Sequence, residues 1–239
     1  MYYTPEHSMS NYTQHWISRL FYPSVCLTCD DNYATGEYPV CISCSAKFPL
    51  TDHFIARDND FTEKFAGRVP LHSAAALYTF KRKNSVQTLL HKIKYDEKIE
   101  LAVAAGRELG RRMRMCPWFD HLDAVVPVPL HSRKLRKRGY NQSAAFGRGI
   151  AEVLEIKHYP HALRRTRYTE TQTRKDKFER LANVAPVFDV RRPKLLTGKH
   201  ILLVDDVLTT GATLEACARP MLQLPGTVLS MASIAIATN

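Results

Sequence analysis

Apolar positions along the chain follow two rhythms, and the change between them marks out the elements. In 85–95, SVQTLLHKIKY, the residues Val86, Leu89, Leu90 and Ile93 recur at the spacing of one helical face. IELAVAAGRELGRRMRM repeats the pattern with Leu101, Ala105, Leu109 and Met113. NQSAAFGRGIAEVL and TLEACARPML read as two further helices. LHSAAALYTF, DAVVPVPL at 123–130, ILLV at 201–204 and TVLSMASIAIA are short, nearly unbroken apolar runs bounded by turn residues. Strands buried on both faces have that form. HALRRTRYT is expected to be a strand leading into an arginine-rich loop. Strands alternating with helices predict an α/β fold with a largely parallel sheet. Elsewhere the rhythm fails. Residues 51–69, TDHFIARDNDFTEKFAGRV, look like a polar connector with little order, and the stretch after 130 looks like a basic loop. The expected division is a leader and cysteine module over 1–50, a connector over 51–69 and the α/β domain over 70–239.

Of the 239 residues, 45% are apolar, which is enough for a packed core. No apolar run reaches the length of about 18 residues that a membrane span needs. The first 20 residues lack the basic and apolar blocks of a signal peptide, so a cytoplasmic location is expected. One amphipathic helix is expected in QHWISRLF.

The net charge of +11 is concentrated. Residues 131–180 hold 14 Lys/Arg against five acidic residues, nine of the eleven net charges. A field of that size suits a phosphate-rich partner, although a solvated basic surface has the same composition.

Four of the six cysteines form two CxxC pairs, Cys26/Cys29 and Cys41/Cys44, separated by 11 residues. Two such turns can complete a tetrahedral thiolate site for structural zinc. Two redox-active pairs in a small hairpin are the alternative. Cys116 and Cys217 read as small core residues.

The densest chemistry is in ILLVDDVLTTGAT, 201–213. Ligands of open α/β sheets sit beyond the carboxyl ends of strands, and Asp205 and Asp206 stand there. Thr209, Thr210, Gly211, Ala212 and Thr213 then lead into a helix N-terminus, which favours an anion. One end of such a site accepts hydrogen bonds and the other donates them. A sugar phosphate meets both demands. No GK[ST] follows, so this is not a nucleotide P-loop. A metal-binding aspartate pair or a helix capped by Thr213 would use the same residues.

ILLVDDVLTTGATLEAC resembles the phosphoribosyl pyrophosphate (PRPP) motif of type I phosphoribosyltransferases. VPVPLHSRKLRKRGYNQS at 126–143 and RTRYTETQTRKDKFERLANV at 165–184 narrow the resemblance to the ComF family, bacterial proteins linked to DNA uptake in natural competence. Many members carry a four-cysteine finger, which 26–44 matches.

The resemblance implies a type I phosphoribosyltransferase fold with an N-terminal zinc finger. It implies transfer of a phosphoribosyl group from PRPP with Mg²⁺, through an oxocarbenium-like state that Asp205 and Asp206 stabilise at the ribose hydroxyls. It places the phosphate in 209–213 and the pyrophosphate at Leu130 and His131 with Arg133 and Arg138. It places Arg164, Arg165, Arg167, Arg174 and Lys175 in a flexible loop closing over the site; a surface helix over RKDKFERLANV competes for part of that loop. Lys94-Tyr95 also resembles a family position, and His131 is a candidate base. The hood-like part, about 70–115, offers no base-recognition motif, so the acceptor stays open. Candidate partners are single-stranded DNA and a competence helicase. The competing readings are a non-catalytic single-stranded DNA binder on this scaffold and a nucleotide-salvage phosphoribosyltransferase.

Overall fold

The computed structural model describes residues 25–34, 39–81, 84–96, 98–166 and 188–238. The chain divides into two compact units, Met1–Lys47 and Phe48–Asn239. In the first, Val25 bridges Tyr33 in an antiparallel turn, and a one-turn helix, α1, spans Ile42–Ser45. Cys26 and Cys41 are buried.

The second unit is built on five parallel strands: β1 (Ala74–Phe80), β2 (Ala124–Pro127), β3 (Lys157–His158), β6 (His200–Leu208) and β7 (Val228–Ala237). Their order is β1-β7-β6-β2-β3. Ile201 to Val204 are fully buried, as a central strand covered on both faces requires. Helices flank the sheet: α3 (Ser85–Tyr95), α4 (Ile99–Met113), α6 (Gln142–Leu154) and α7 (Ala212–Leu222). On α3 the predicted stripe Val86, Leu89, Leu90 and Ile93 is the buried face, and Asn84 caps the helix by accepting from the Gln87 N–H. The predicted stripe of α4 is buried too. Cys116 and Cys217 lie in the interior. A separate antiparallel pair joins β4 (Leu163–Arg165) to β5 (Phe188–Val190). Among the described residues no helix is long and apolar enough to cross a membrane.

Three stretches differ from the expectation. The strand begun at Ile201 does not stop at Val204; it runs through both aspartates to Leu208. The basic loop after residue 130 contains a helix, α5 (Ser132–Arg138), that buries no side chain and ends at Gly139. With nothing to bury it leaves no apolar stripe in the sequence.

Residues 51–69 are packed, not loose. Asn59 closes a capping box on α2 (Asp60–Glu63), and its side-chain amide donates to the Ala74 carbonyl of β1 at 3.0 Å. His53 accepts the Ala76 N–H at 2.9 Å and is 2.5 Å from the Asp60 carboxylate. Phe61, Phe65 and Val69 are buried. Only Phe61 lies in α2; Phe65 and Val69 are held in the turns that follow, so no regular stripe announces them in so polar a stretch.

Candidate functional site

The site opens where β6 outruns β2. The two strands pair as far as Pro127 with Val204. The Val128 N–H still donates to the Val204 carbonyl, and then the chain turns away through Pro129-Leu130-His131. From Asp205 to Leu208, β6 continues against β7. At this carboxyl edge of the sheet a small crevice of about 30 Å³ is lined by Asp205 and by residues 207–214; Asp206 stands between them on β6 outside that lining.

Each carboxylate is already engaged. Asp205 Oδ1 accepts from the Ser143 hydroxyl at 2.9 Å and from the Asp206 N–H at 2.8 Å. Asp206 Oδ2 lies 2.9 Å from Lys94 Nζ. Ser143 sits in the first turn of α6, whose N-cap Asn141 accepts the Ser143 N–H at 3.1 Å and donates its amide to the Val128 carbonyl at 2.9 Å. Asn141 thus ties the end of β2 to the helix that holds Asp205.

Burial pushes the Asp205 carboxyl up to about 7, and the neighbouring Asp206 charge pushes the same way; the Asp206 N–H, the Ser143 hydroxyl and Lys94 oppose them. A folded-state value above the unfolded one means that Asp205 binds its proton more tightly when folded. The stability it contributes is full below about pH 4 and is lost as pH rises through about 7. An Asp205→Asn variant escapes that loss. Its melting temperature relative to wild type should climb between about pH 5 and about pH 8. A difference that stays flat across this range would show an ordinary carboxyl.

Beyond Leu208 comes the loop of threonines. Gly211 is the N-cap of α7 at φ 81°, a conformation that favours glycine, and no side chain caps the helix. The Ala212 N–H donates to the Thr210 hydroxyl at 3.4 Å, and the N–H groups that follow in the first turn of α7 can receive an anion. A Cβ on Gly211 would come within 2.8 Å of the Phe65 ring. Phe65 thus supports the loop from beneath, while Arg68 pairs with Glu215 of α7 at 3.0 Å. These supports come from the 51–69 stretch, and sequence reasoning missed them. It also missed Ser143, for which the sequence held no signal. Lys94 was visible only as a family resemblance.

The other expected site residues lie at the β2 side. Leu130, His131 and Arg133 line a cleft of about 1040 Å³ together with Arg136, His161, Arg164 and Arg165; among the described residues no acidic side chain lines it. His131 Nδ1 accepts the Arg133 N–H at 3.2 Å, so this ring caps α5. Arg138 is not part of the cleft lining: its guanidinium lies 5.4 Å from the Tyr95 ring centroid and donates to Gln142 at 3.1 Å. Arg164 belongs to β4 and donates twice to Asp189 Oδ2, at 3.0 and 2.7 Å. The Arg165 guanidinium lies 5.5 Å from the Phe188 ring centroid. Two of the four arginines expected in a flexible loop are thus held in a strand pair. Arg167, Arg174 and Lys175 lie outside the described residues, as does the expected leader helix.

In the first unit, one sulfur from each of Cys26, Cys29, Cys41 and Cys44 lies within 4.8 Å of all the others. A tetrahedral zinc with bonds of about 2.3 Å sets its sulfurs a little under 4 Å apart, and Cys29 Sγ is 4.0 Å from Cys41 Sγ. Four soft donors at this spacing fit zinc. The backbone N–H groups of Asn32 and Asp31 lower the Cys29 thiol to about 6, while burial and the neighbouring thiols raise Cys44 to about 12.

Residues 141–235 match the phosphoribosyl transferase domain family. The DNA utilization protein YhgH of Escherichia coli K12 is 32% identical over 138 residues, which cover 56% of this chain and 60% of that protein. The competence protein ComFC of Bacillus subtilis 168 is 26% identical over 224 residues, 83% of this chain and 89% of the relative. Among solved structures, the glutamine PRPP amidotransferase of B. subtilis superposes with a TM-score of 0.42 at 18% identity, over 61% of this chain and 30% of that one.

Proposed function

We propose that this chain, a phosphoribosyl transferase-domain protein related to the ComF-type competence proteins, binds PRPP with Mg²⁺ in the β6 crevice and acts in DNA uptake during natural transformation. One observation carries the ligand assignment. A pair of carboxylates and a helix N-terminus whose N-cap is a glycine stand at the two ends of a single strand-loop-helix turn. The ribose hydroxyls donate to Asp205 and Asp206. The 5-phosphate accepts from the backbone of 209–213 and the first turn of α7. The 1-diphosphate faces the turn Leu130-His131 and the cations Arg133, Arg136 and Arg165. Mg²⁺, when it arrives with PRPP, neutralises diphosphate charge.

In a transfer step the bond from C1 to the diphosphate oxygen breaks, and its electron pair leaves with pyrophosphate. A lone pair of the acceptor forms the new bond at C1. Positive charge develops on the ring meanwhile, and the aspartate pair stabilises it. The role in DNA uptake is drawn from the relatives, one named for competence and one for DNA utilization.

A second reading rests on the cleft beside the crevice. Arginines and histidines line it together with Pro129, Leu130, Leu135 and Pro160, and no carboxylate does among the described residues. Such a wall suits the backbone and bases of a single DNA strand. The two readings share Leu130, His131, Arg133, Arg136 and Arg165, so a diphosphate and a DNA strand would compete for that wall.

Calorimetry with Mg-PRPP on the purified chain tests the first reading. Saturable binding, with pyrophosphate released when an acceptor is supplied, supports it. No heat at millimolar PRPP overturns it.

The cysteine unit is proposed as a structural zinc site held by Cys26, Cys29, Cys41 and Cys44, with no position open for catalysis. About one zinc per chain is expected by elemental analysis, falling to near zero in a Cys41→Ser/Cys44→Ser variant. Equal zinc in the two preparations would place the metal elsewhere.

A further inference from the structure

Asp205 and Asp206 differ in the kind of partner they hold. The donors to Asp205 are fixed: a hydroxyl in the first turn of α6 and the backbone N–H of the next residue. Asp206 is matched by the ammonium of Lys94, at the end of a long and flexible stem. The side chains are 25% and 19% exposed, so the pair meets solvent.

The helix under Lys94 is anchored, so any movement falls to the stem. Four residues of α3 are buried on the core side. The Tyr140 hydroxyl donates to the Ile93 carbonyl, one residue before the lysine. Arg138 lies over the ring of Tyr95, one residue after it. The turn that leads into α6 thus clamps the end of α3 on both sides of Lys94.

A ribose diol needs an acceptor oxygen from each carboxylate. On Asp206 it meets an oxygen that already holds a cation. The ammonium must swing away or share that oxygen, and a displaced ammonium is best compensated by another anion nearby. A ligand with a diphosphate beside its diol brings that anion. A ligand with only a remote 5-phosphate does not.

On the reading of the crevice as a PRPP site, we propose that Lys94 is a counter-ion exchanged on binding: it covers Asp206 in the free protein and passes to the ligand's diphosphate, so that the site favours PRPP over ribose 5-phosphate. Lys94 is then a specificity-determining residue that contacts the ligand, beyond the aspartates and the threonine loop.

Calorimetric affinities for two probes, Mg-PRPP and ribose 5-phosphate, test this on wild type, Lys94→Gln and Lys94→Arg. In Lys94→Gln the PRPP affinity should fall about tenfold while ribose 5-phosphate binding holds or tightens, because the cover is gone. Lys94→Arg should restore most of the preference. A lysine that merely supports the fold would lower both affinities by the same factor, and that result overturns the proposal. So does a Lys94→Gln protein that binds PRPP as wild type does. Lys94→Met, which keeps the apolar stem, serves as the second uncharged variant should Lys94→Gln fold poorly. Wild-type protein that takes neither probe overturns the reading of the crevice itself, and the exchange with it.

Discussion

A Gly149→Val variant is expected to melt at least about 6 °C below wild type. Helices α4 and α6 meet backbone to backbone. A Cβ on Gly149 would stand 2.1 Å from the Val103 carbonyl oxygen and 2.9 Å from the Arg107 nitrogen. The converse holds across the same contact, where a Cβ on Gly106 would stand 2.0 Å from the Phe146 carbonyl oxygen. Neither obstacle is the end of a flexible side chain, so the helices must part. Overpacking of this kind costs about 3 kcal/mol or more. In a domain of this size each kcal/mol lowers the melting temperature by about 2–4 °C. Arg148→Val is the control: it puts the same β-branched residue one position earlier on an exposed face, where it loses only a long ion pair with Glu152 at 3.7 Å. Melting of the two variants within a few degrees of one another would mean that the helices are not in backbone contact. The consequence reaches the crevice. Ser143, two turns earlier on α6, holds Asp205. Moving the helix therefore moves a partner of the site as well as loosening the core.

That contact illustrates what the sequence could and could not carry. The stripes on α3 and α4, the apolar run of β6 and the cysteine spacing are periodic, and periodicity survives in one dimension. The turn from β6 into α7 was legible because a strand, two acids, a glycine and a helix start are consecutive there. Gly106 and Gly149, by contrast, are 43 positions apart, and their pairing exists only once two helices lie together. The same is true of Ser143 with Asp205 and of Phe65 beneath Gly211. Arg164 shows the opposite error. The resemblance placed it in a flexible loop, and the acid that holds it, Asp189, lies 25 residues away on β5. Charge counted along a chain cannot reveal which charges are already matched.

The Asp205→Asn/Asp206→Asn double variant should lose Mg-PRPP affinity by at least about a hundredfold while remaining folded. Both substitutions keep the side-chain volume. At position 205 the new amide oxygen can still accept from the Ser143 hydroxyl and from the backbone N–H of the next residue, so the local frame survives. What disappears is the charge on two acceptors facing a diol. A hydrogen bond to a charged group contributes about 1.5–3 kcal/mol, and the loss of two exceeds the roughly 2.7 kcal/mol that a hundredfold represents. The cleft walls with Arg133 and Arg136 are untouched, so binding of single-stranded DNA should persist, with its steep dependence on salt intact. Fluorescence anisotropy on a labelled oligonucleotide, run beside the PRPP calorimetry, separates the two readings. Undiminished PRPP binding in the folded double variant would remove the crevice from the mechanism. Loss of PRPP with DNA binding and transformation both intact would make the sugar-phosphate site dispensable for DNA handling. Loss of transformation with DNA binding intact would join the two. The aspartates would then be needed for something that happens to the phosphoribosyl group, and the cleft would bring the strand beside it.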